Sequence, residues 1–327
     1  MNRALRSFAA RASASRSCAA ALAVVFAAGT AACGDDTPSG SDASTLTVVA
    51  AFAPLEEVAR AVTGDRANVV GLVPPGGGAH DYEPTAQQLE ALSESDLLVY
   101  FGADFQPGVQ DAVAGLDDSV VALDLLRGLD LLPVGPQLPG TEGDVDGEVL
   151  ATGDDPHVWL DPRNMMAMTR AVADALSTLD PDGRAAYERN RDSYLAQLER
   201  LDSDMAGGLV GCASDVIVTS HRAFEYLARR FGLTQISIAG ISPEAEPSAA
   251  TLEAVAAAAA ANNVSVIFFE ENLPPDLAET VAAEIGASTA VLDPVETVST
   301  DQLAAGESYL TIQRTNLAAL RAGLGCP

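Results

Sequence analysis

Three histidines are the residues in this sequence whose type and placement could do chemistry. His80 lies in VPPGGGAHDYEPT, His157 in GDDPHVWLDPRN and His221 in DVIVTSHRAFEY, and these are the only 3 histidines of the 327-residue chain. Each stands in a predicted loop or at a predicted helix start, where a neutral imidazole can donate a lone pair to a metal ion. No HExxH or CxxC motif ties any two of them together. A shared metal site and three separate hydrogen-bonding roles are therefore both open at this point.

Two blocks of alternating strand and helix patterns must position these histidines. Runs rich in β-branched residues predict four strands in each block, with segments of helical apolar spacing between them. The alternation predicts an α/β fold of two lobes, each a mainly parallel four-stranded sheet flanked by helices, and ligands collect where such strands end. The predicted strands are 45–51, 67–73, 96–101 and 119–125 in the first block and 215–220, 233–240, 264–270 and 288–293 in the second.

Between the two blocks the pattern predicts one long, rigid helix. At 1.5 Å per residue, a helix over 181–207 forms a rod of roughly 40 Å, which would act as a stiff spacer. The organisation that follows is an N-terminal lobe over 45–180, the linking helix over 181–207 and a C-terminal lobe over 208–327. The other predicted helices are 54–64, 85–95, 106–115, 162–180, 222–232, 251–263 and 276–286.

The N-terminal residues have the layout of a secretory signal. Four arginines precede the apolar run CAAALAVVFAAGTAAC, which ends in small residues and is short for a membrane span. The arrangement resembles a bacterial lipoprotein signal, so we expect a signal peptide over 1–32, lipidation of Cys33 and a flexible tether over 33–44. Plain cleavage with an unmodified Cys33 is the alternative. Either way, the mature chain is expected outside the cytoplasmic membrane, attached at most by one end, and lipidation of Cys33 would hold it on the outer face of that membrane.

The charge and the cysteine content of the chain indicate which partners and which covalent cross-links to expect. The formal charge of −28, from 46 acidic and 18 basic residues, repels the phosphates of nucleic acids and excludes them as partners. Of the 4 cysteines, Cys18 leaves with the signal and Cys33 is the lipidation candidate. Cys212 and Cys326 remain, and an even pair in an oxidising compartment predicts a disulfide.

Six motifs, in a fixed order, carry the resemblance of this chain to a known family. The segments HDYEPT, DPHVWLDPRN, TSHRAFEYLARRFGL, GISPEAEPSAATL, IFFEENLPP and the stretch from VLDPVETVST to the C-terminus resemble the metal-binding lipoproteins of zinc and manganese ABC importers. The resemblance covers nearly all of residues 45–327. It implies two α/β lobes joined by one long helix, with a metal ion in the cleft between them. It also implies that His80, His157 and His221 each bind the metal through an imidazole nitrogen.

The resemblance leaves the fourth metal ligand open. Relatives use an aspartate where Asp293 stands, a glutamate where Glu296 stands, or a water. The string LDPVETVS most resembles the zinc relatives with a glutamate, so Glu296 is expected and Asp293 is the second choice. Asp293 could instead cap the turn before Pro294. For Glu270 and Glu271, which end a strand, the resemblance implies a supporting or structural role.

Zn²⁺ is the cargo that these residue types favour. Three neutral imidazoles and one carboxylate fit tetrahedral zinc, whereas manganese prefers more oxygen ligands. Manganese carriers that resemble this chain also place a glutamate where His221 stands, which favours zinc. Mn²⁺ and Fe²⁺ remain the alternatives.

We expect a monomeric, lipid-anchored receptor that hands Zn²⁺ to an ABC importer permease, and no enzyme. The competing interpretations are an exported zinc hydrolase, because three imidazoles with an open position are also a catalytic arrangement, and a surface adhesin.

An acidic loop over 133–155 sets this chain apart from many zinc relatives, which carry a histidine-rich loop there. The segment has no periodicity and reads as a surface loop. A loop that gathers cations and an ordinary solvated loop are both open, and the ordinary loop is favoured. Its carboxylates are Glu142, Asp144, Asp146, Glu148, Asp154 and Asp155.

Overall fold

Two parallel four-stranded sheets organise the chain, as the alternating pattern predicts. The computed structural model describes residues 45–135, 153–243, 246–271 and 273–327. The predicted signal peptide, the tether and residues 136–152 of the acidic loop lie outside these ranges. The two ends of that loop are described, and they are held side by side by an antiparallel bridge between Pro133 and Asp154.

The first sheet contains β1 (Leu46–Ala50), β2 (Ala67–Gly71), β3 (Leu97–Tyr100) and β4 (Val121–Asp124). Its order is β2-β1-β3-β4, and every neighbouring pair is parallel. All four residues of β3 are buried, because helices cover both faces of a parallel sheet and its central strands become continuous apolar runs.

The second sheet repeats the arrangement of the first. Its strands β5 (Val216–Thr219), β6 (Thr234–Ser237), β7 (Val266–Phe269) and β8 (Ser288–Val291) pair in parallel in the order β6-β5-β7-β8. In each sheet the first and third strands of the block lie side by side at the centre. The winding direction reverses between these two strands, and α/β sheets bind ligands in the crevice outside their carboxyl ends at that point.

Ten α-helices in the described ranges surround the sheets. The first eight occur where the periodicity predicts helices, and none of the ten combines the length and apolarity needed to cross a membrane. They are α1 (Ala53–Thr63), α2 (Ala86–Ser93), α3 (Pro107–Ala114), α4 (Pro162–Leu179), α5 (Arg184–Gly208), α6 (Glu225–Phe231), α7 (Ala249–Ala261), α8 (Asp276–Ile285), α9 (Thr300–Ala304) and α10 (Tyr309–Gly323).

The long helix α5 begins three residues later than the pattern predicts. The Asp180 carboxylate accepts hydrogen bonds from the Gly183 N–H at 3.0 Å and from the Tyr187 hydroxyl at 2.8 Å, so the chain turns before it becomes helical. The helix has 25 residues. It contacts α1 and α4 of the first half, which contains the first sheet and the helices up to α4, and α10 of the second half, which contains the second sheet and the helices from α6 onward. Its tyrosines and leucines at helical spacing are buried, so α5 is packed against both halves.

One apolar core continues from the first sheet into the second. Fully buried Phe52 and Trp159 stack edge to face with ring centroids 5.0 Å apart, and this cluster extends to Phe224, Phe268 and Tyr309 of the second half. A separate cluster packs α7 and α8 onto the second sheet. The aromatic cluster packs against the segment that carries His157.

The predicted disulfide between Cys212 and Cys326 is confirmed, and it ties the segment before β5 to the end of α10. Because the bond spans 114 residues of sequence, it restricts the unfolded chain strongly. We expect the Cys212→Ser/Cys326→Ser protein to lose about 2–4 kcal/mol in the free energy of unfolding. Urea unfolding of the oxidised parent and of this variant, both without zinc, measures the difference, and equal midpoints would contradict it.

Candidate metal centre

The second sheet brings His221 and Glu270 together at its topological switch point. His221 follows the central strand β5 by two residues, and Glu270 directly follows its neighbour β7. The His221 Nδ1 lies 2.5 Å from the Glu270 Oε1, and both side chains are buried. His221 stands in a bend four residues before α6 begins at Glu225, so the predicted helix start at residue 222 is wrong. The residues 222–224 form the connection from β5 into the helix.

His80 comes from the glycine-rich segment that follows β2. Gly77 donates its N–H to the Pro74 carbonyl at 2.9 Å, and Gly76 adopts a φ of +77° that favours glycine. The Gly76 N–H also donates to the Thr297 hydroxyl of the second half at 3.0 Å. The His80 ring packs edge to face on Phe105 at a centroid distance of 4.8 Å. Among the described residues, the His80 Nε2 has no hydrogen-bond partner.

His157 is held by contacts to both halves of the protein. It precedes a short 3-10 helix, Val158–Leu160, whose Trp159 donates its indole N–H to the Pro294 carbonyl at 2.7 Å. The Tyr309 hydroxyl donates to the Trp159 carbonyl at 2.6 Å. Although His157 precedes the linking helix in sequence, hydrogen bonds to Pro294 and Tyr309 fix its segment to the second half.

Glu296 stands in a constrained loop after β8. Asp293, the alternative ligand, does not join the cluster, because its carboxylate accepts from the Val295 N–H at 2.7 Å and from the Gln302 side chain at 3.0 Å. Burial raises the pKa of Asp293 to about 6, although these two hydrogen bonds lower it. The Asn316 amide bonds both the N–H and the carbonyl of Asp293. Val295 has a φ of +59°, an unusual conformation for a β-branched residue, and such strain concentrates at functional sites.

The structure brings the four residues expected from the sequence into one buried group. His80, His157, His221 and Glu296 each offer one ligand atom, and these four atoms lie within 4.8 Å of one another. The Glu296 Oε1 lies 3.0 Å from the His221 Nε2, 3.2 Å from the His157 Nε2 and 3.4 Å from the His80 Nε2. The Nε2 atoms of His157 and His221 are 3.4 Å apart.

Four of the six separations between these atoms are close to the edges of a tetrahedron around zinc. With ligands about 2.0–2.1 Å from the ion, neighbouring ligand atoms lie about 3.3–3.4 Å apart. His157, His221 and Glu296 form one such face, with edges of 3.0, 3.2 and 3.4 Å. The His80 Nε2 lies 3.4 Å from the Glu296 Oε1 and within 4.8 Å of the other ligand atoms, so the group has the donor types of a four-coordinate cation site.

Buried carboxylates control the charge of the cluster. Burial opposes a charged His157 ring, but the hydrogen bonds to Asp155 and Glu296 outweigh it and raise the pKa of His157. Burial likewise opposes a charged His221 ring, and Glu270 and Glu296 raise the pKa of His221 well above its ordinary value. Burial favours neutral Glu296, yet His221 and His80 hold the pKa of Glu296 well below its usual range. The carboxylates in and around the cluster therefore favour a positive charge among the three imidazoles.

The sequence patterns do not single out Asp155, which they group with the loop carboxylates. The structure places this residue beneath His157, with its Oδ1 2.8 Å from the His157 Nδ1. A local signal was available, because a buried histidine two residues after an aspartate allows that carboxylate to bond both the histidine N–H and its ring. Glu270 takes the supporting role that the resemblance implies.

The fold and the site together define a class. Two parallel α/β lobes linked by a long helix, with three imidazoles and a carboxylate converging where they meet, form a two-lobe binding protein of the cation-binding class. The chain belongs to the family described as the zinc-uptake complex component A, periplasmic (ZnuA), which it matches over residues 48–323.

Two named proteins with zinc-related descriptions are similar to this chain in sequence. The zinc-binding lipoprotein AdcA of Streptococcus pneumoniae is 37% identical over 279 residues, which are 84% of this chain and 55% of AdcA. The chain thus spans about half the length of AdcA. The high-affinity zinc uptake system protein ZnuA of Bacillus subtilis is 34% identical over 298 residues, covering 90% of this chain and 93% of ZnuA.

Solved structures show the same fold. The Zn(II)-bound ZnuA-like domain of Streptococcus pneumoniae AdcA has a TM-score of 0.72 at 34% identity, covering 86% of this chain and 99% of that domain. The laminin-binding protein Lmb of Streptococcus agalactiae, described as bifunctional with adhesin and metal-transporting activity, has a TM-score of 0.73 at 29% identity. That match covers 85% of this chain and 99% of Lmb. The two-lobe α/β prediction is confirmed.

Proposed function

We propose that this protein is an extracytoplasmic receptor that binds Zn²⁺ and delivers it to the permease of an ABC importer. The observation that carries the proposal is the buried group of His80, His157, His221 and Glu296, whose ligand atoms lie within 4.8 Å of one another. The family description and the names of AdcA and ZnuA support zinc as the cargo.

The donor set favours zinc over manganese. Three nitrogen donors and one carboxylate satisfy tetrahedral zinc, and Mn²⁺ takes more oxygen ligands. The Asp155 and Glu270 carboxylates bond the outer ring nitrogens of His157 and His221, so they support these ligands and are directed away from the ion. Asp293 is engaged in its own loop. Additional oxygen ligands for manganese would have to come from water.

A lipid anchor at Cys33 would keep the receptor at the membrane surface. The AdcA relative is named a lipoprotein, which supports this prediction and the outer face of the cytoplasmic membrane as the site of action. The permease is the expected partner, and the protein is expected to act as a monomer. Mass spectrometry of the protein extracted from membranes tests the anchor, and an unmodified Cys33 would contradict it.

A receptor accounts for the site better than an exported zinc hydrolase. A catalytic zinc keeps one coordination position for water, whereas here four protein donors surround a common centre and all four side chains are buried. A panel of peptidase, esterase and phosphatase substrates tested with the zinc-loaded protein decides between the two. Turnover that is lost on removal of zinc would favour the hydrolase.

We expect the purified mature protein to bind one zinc ion per chain and to bind manganese far more weakly. The physical reason is the tetrahedral nitrogen-rich donor set, which follows the general preference of N and O sites for Zn²⁺ over Mn²⁺. Elemental analysis after dialysis against equal concentrations of both metals measures the preference, and an excess of bound manganese would contradict it.

In cells, deletion of the gene is expected to stop growth in zinc-depleted medium, with recovery on addition of zinc.

A further inference from the structure

Asp155 is buried directly behind the metal-facing ring of His157. Its side chain is 1% exposed, and its Oδ1 accepts hydrogen bonds from the His157 N–H at 3.0 Å and from the His157 Nδ1 at 2.8 Å. An imidazole that donates its Nδ1–H to a carboxylate keeps its lone pair on Nε2. The Nε2 of His157 is the atom that faces Glu296 and His221, at 3.2 Å and 3.4 Å.

The main chain of Asp155 is fixed by partners from both halves of the protein. Its N–H donates to the Leu132 carbonyl at 2.7 Å. Its carbonyl accepts from the Tyr226 hydroxyl of α6 at 2.8 Å, and the same hydroxyl accepts from the Leu132 N–H at 2.8 Å. Because the Asp155 side chain is short and its backbone is held on both sides, the carboxylate has little freedom to follow a rotating ring.

We propose that Asp155 is a positioning residue of the zinc site. It holds His157 in the Nδ1–H tautomer and in the ring orientation that directs Nε2 to the ion, and Tyr226 in turn holds Asp155. This inference rests on the proposed zinc-binding function and adds a determinant of affinity outside the four ligands. Outer carboxylates of this kind typically change metal affinity about 10–100-fold when they are removed.

The other two histidines provide an internal comparison. His221 has an equivalent carboxylate, Glu270, at 2.5 Å from its Nδ1. His80 is also buried, its ring packs on Phe105, and its Nε2 has no hydrogen-bond partner among the described residues. The carboxylates of Asp155 and Glu270 thus lie behind the two fully buried rings, whereas His80 keeps 7% of its surface exposed.

Three variants separate positioning from mere charge. Asp155→Ala removes the acceptor, whereas Asp155→Asn keeps an acceptor oxygen and removes the charge. Asp154→Asn is the matched control, because Asp154 is the exposed neighbour of Asp155 and its substitution makes the same change in net charge. Zinc affinity is measured by competition with a chromogenic chelator. The ring tautomers are measured by long-range ¹H–¹⁵N correlation in histidine-labelled protein, both zinc-loaded and zinc-free at pH 9, and the 3 histidines of the chain keep the spectrum simple.

The expected result is a 10–100-fold loss of affinity in Asp155→Ala, a smaller loss in Asp155→Asn and no loss in Asp154→Asn. The His157 ring should be the pure Nδ1–H tautomer in the parent and a mixture in Asp155→Ala. Equal affinities of Asp155→Asn and Asp154→Asn, together with unchanged His157 nitrogen shifts, would overturn the proposal even if Asp155→Ala fails to fold. If the parent binds no zinc, the proposed function fails, and the zinc-free tautomers still decide the role of Asp155.

Discussion

The His157→Ala protein is expected to fold and to bind Zn²⁺ about a hundred- to a thousandfold more weakly than the parent. Four-ligand structural zinc sites in peptides contribute about 10–16 kcal/mol, so one of four ligands is worth roughly 2.5–4 kcal/mol on average. Each 1.4 kcal/mol is about a factor of ten in affinity. His221 and Glu296, whose ligand atoms are 3.0 Å apart, would remain in place and hold the ion with His80 and water.

Competition with a chromogenic zinc chelator measures this loss. Far-UV circular dichroism and urea unfolding of the zinc-free variant test whether the lobes keep their cores. We expect that they do, because the His157 ring packs on the aromatic cluster and forms no part of either sheet. The exposed Asp154→Asn change serves as the control and should leave the affinity unchanged. A His157→Ala protein that binds zinc like this control would remove His157 from the site.

Zinc affinity is expected to fall steeply as the pH is lowered from 8 to 6, by up to about a hundredfold per pH unit. Zinc needs neutral imidazoles, and the pKa values of His157 and His221 are both raised because nearby carboxylates outweigh burial. Protons therefore compete with zinc at a higher pH than the 6.5 of an ordinary histidine. Glu296, whose pKa is held well below its usual range, stays ionised and adds little to the slope.

The stability of the zinc-free protein should have the opposite pH dependence. Because the folded pKa values of His157 and His221 are raised, their contribution to stability is complete below about pH 6.5 and is lost as the pH rises through the folded values. The increase in melting temperature on adding zinc should therefore grow with pH. Differential scanning calorimetry from pH 6 to pH 8, with and without zinc, measures it.

Titration calorimetry in two buffers of different ionisation enthalpy counts the protons released on zinc binding. Near pH 7 we expect close to two. The Glu296→Gln protein should bind more weakly at every pH with a similar slope, whereas His221→Ala should flatten the curve. A wild-type affinity that does not change with pH would be incompatible with a site built on three histidines.

The strand and helix patterns predict most of the fold because its signals are local. Within the described residues, β-branched runs give the eight strands and helical periodicity gives eight of the ten helices. The patterns do not assign α9 and α10, although capping boxes at Ser299 with Gln302 and at Ser308 with Thr311 mark their starts. The two helix starts that lie three residues later than the pattern predicts, at Arg184 and Glu225, both follow turns that the periodicity does not register.

The residues of the candidate site and the supporting role of Glu270 were predictable from motifs, but the role of Asp155 was not assigned. The three histidines and Glu296 are marked by their residue types and by the family resemblance. Asp155 has the same residue type or charge as the other carboxylates of the acidic loop, and its position two residues before His157 becomes informative only once His157 is known to be buried. The constrained loop at Val295 is set by Asn316 and Trp159, which contact it from distant parts of the sequence. Long-range bonds of this kind leave no local periodicity.

A crystal structure of the zinc-loaded protein, with anomalous data collected on both sides of the zinc edge, tests the central claim most directly. The predicted result is one anomalous peak per chain, bonded to the Nε2 atoms of His80, His157 and His221 and to a carboxylate oxygen of Glu296, each at about 2.0–2.2 Å. A peak at another position, or one that is bonded to Asp293 with Glu296 unbound, would contradict the site described above.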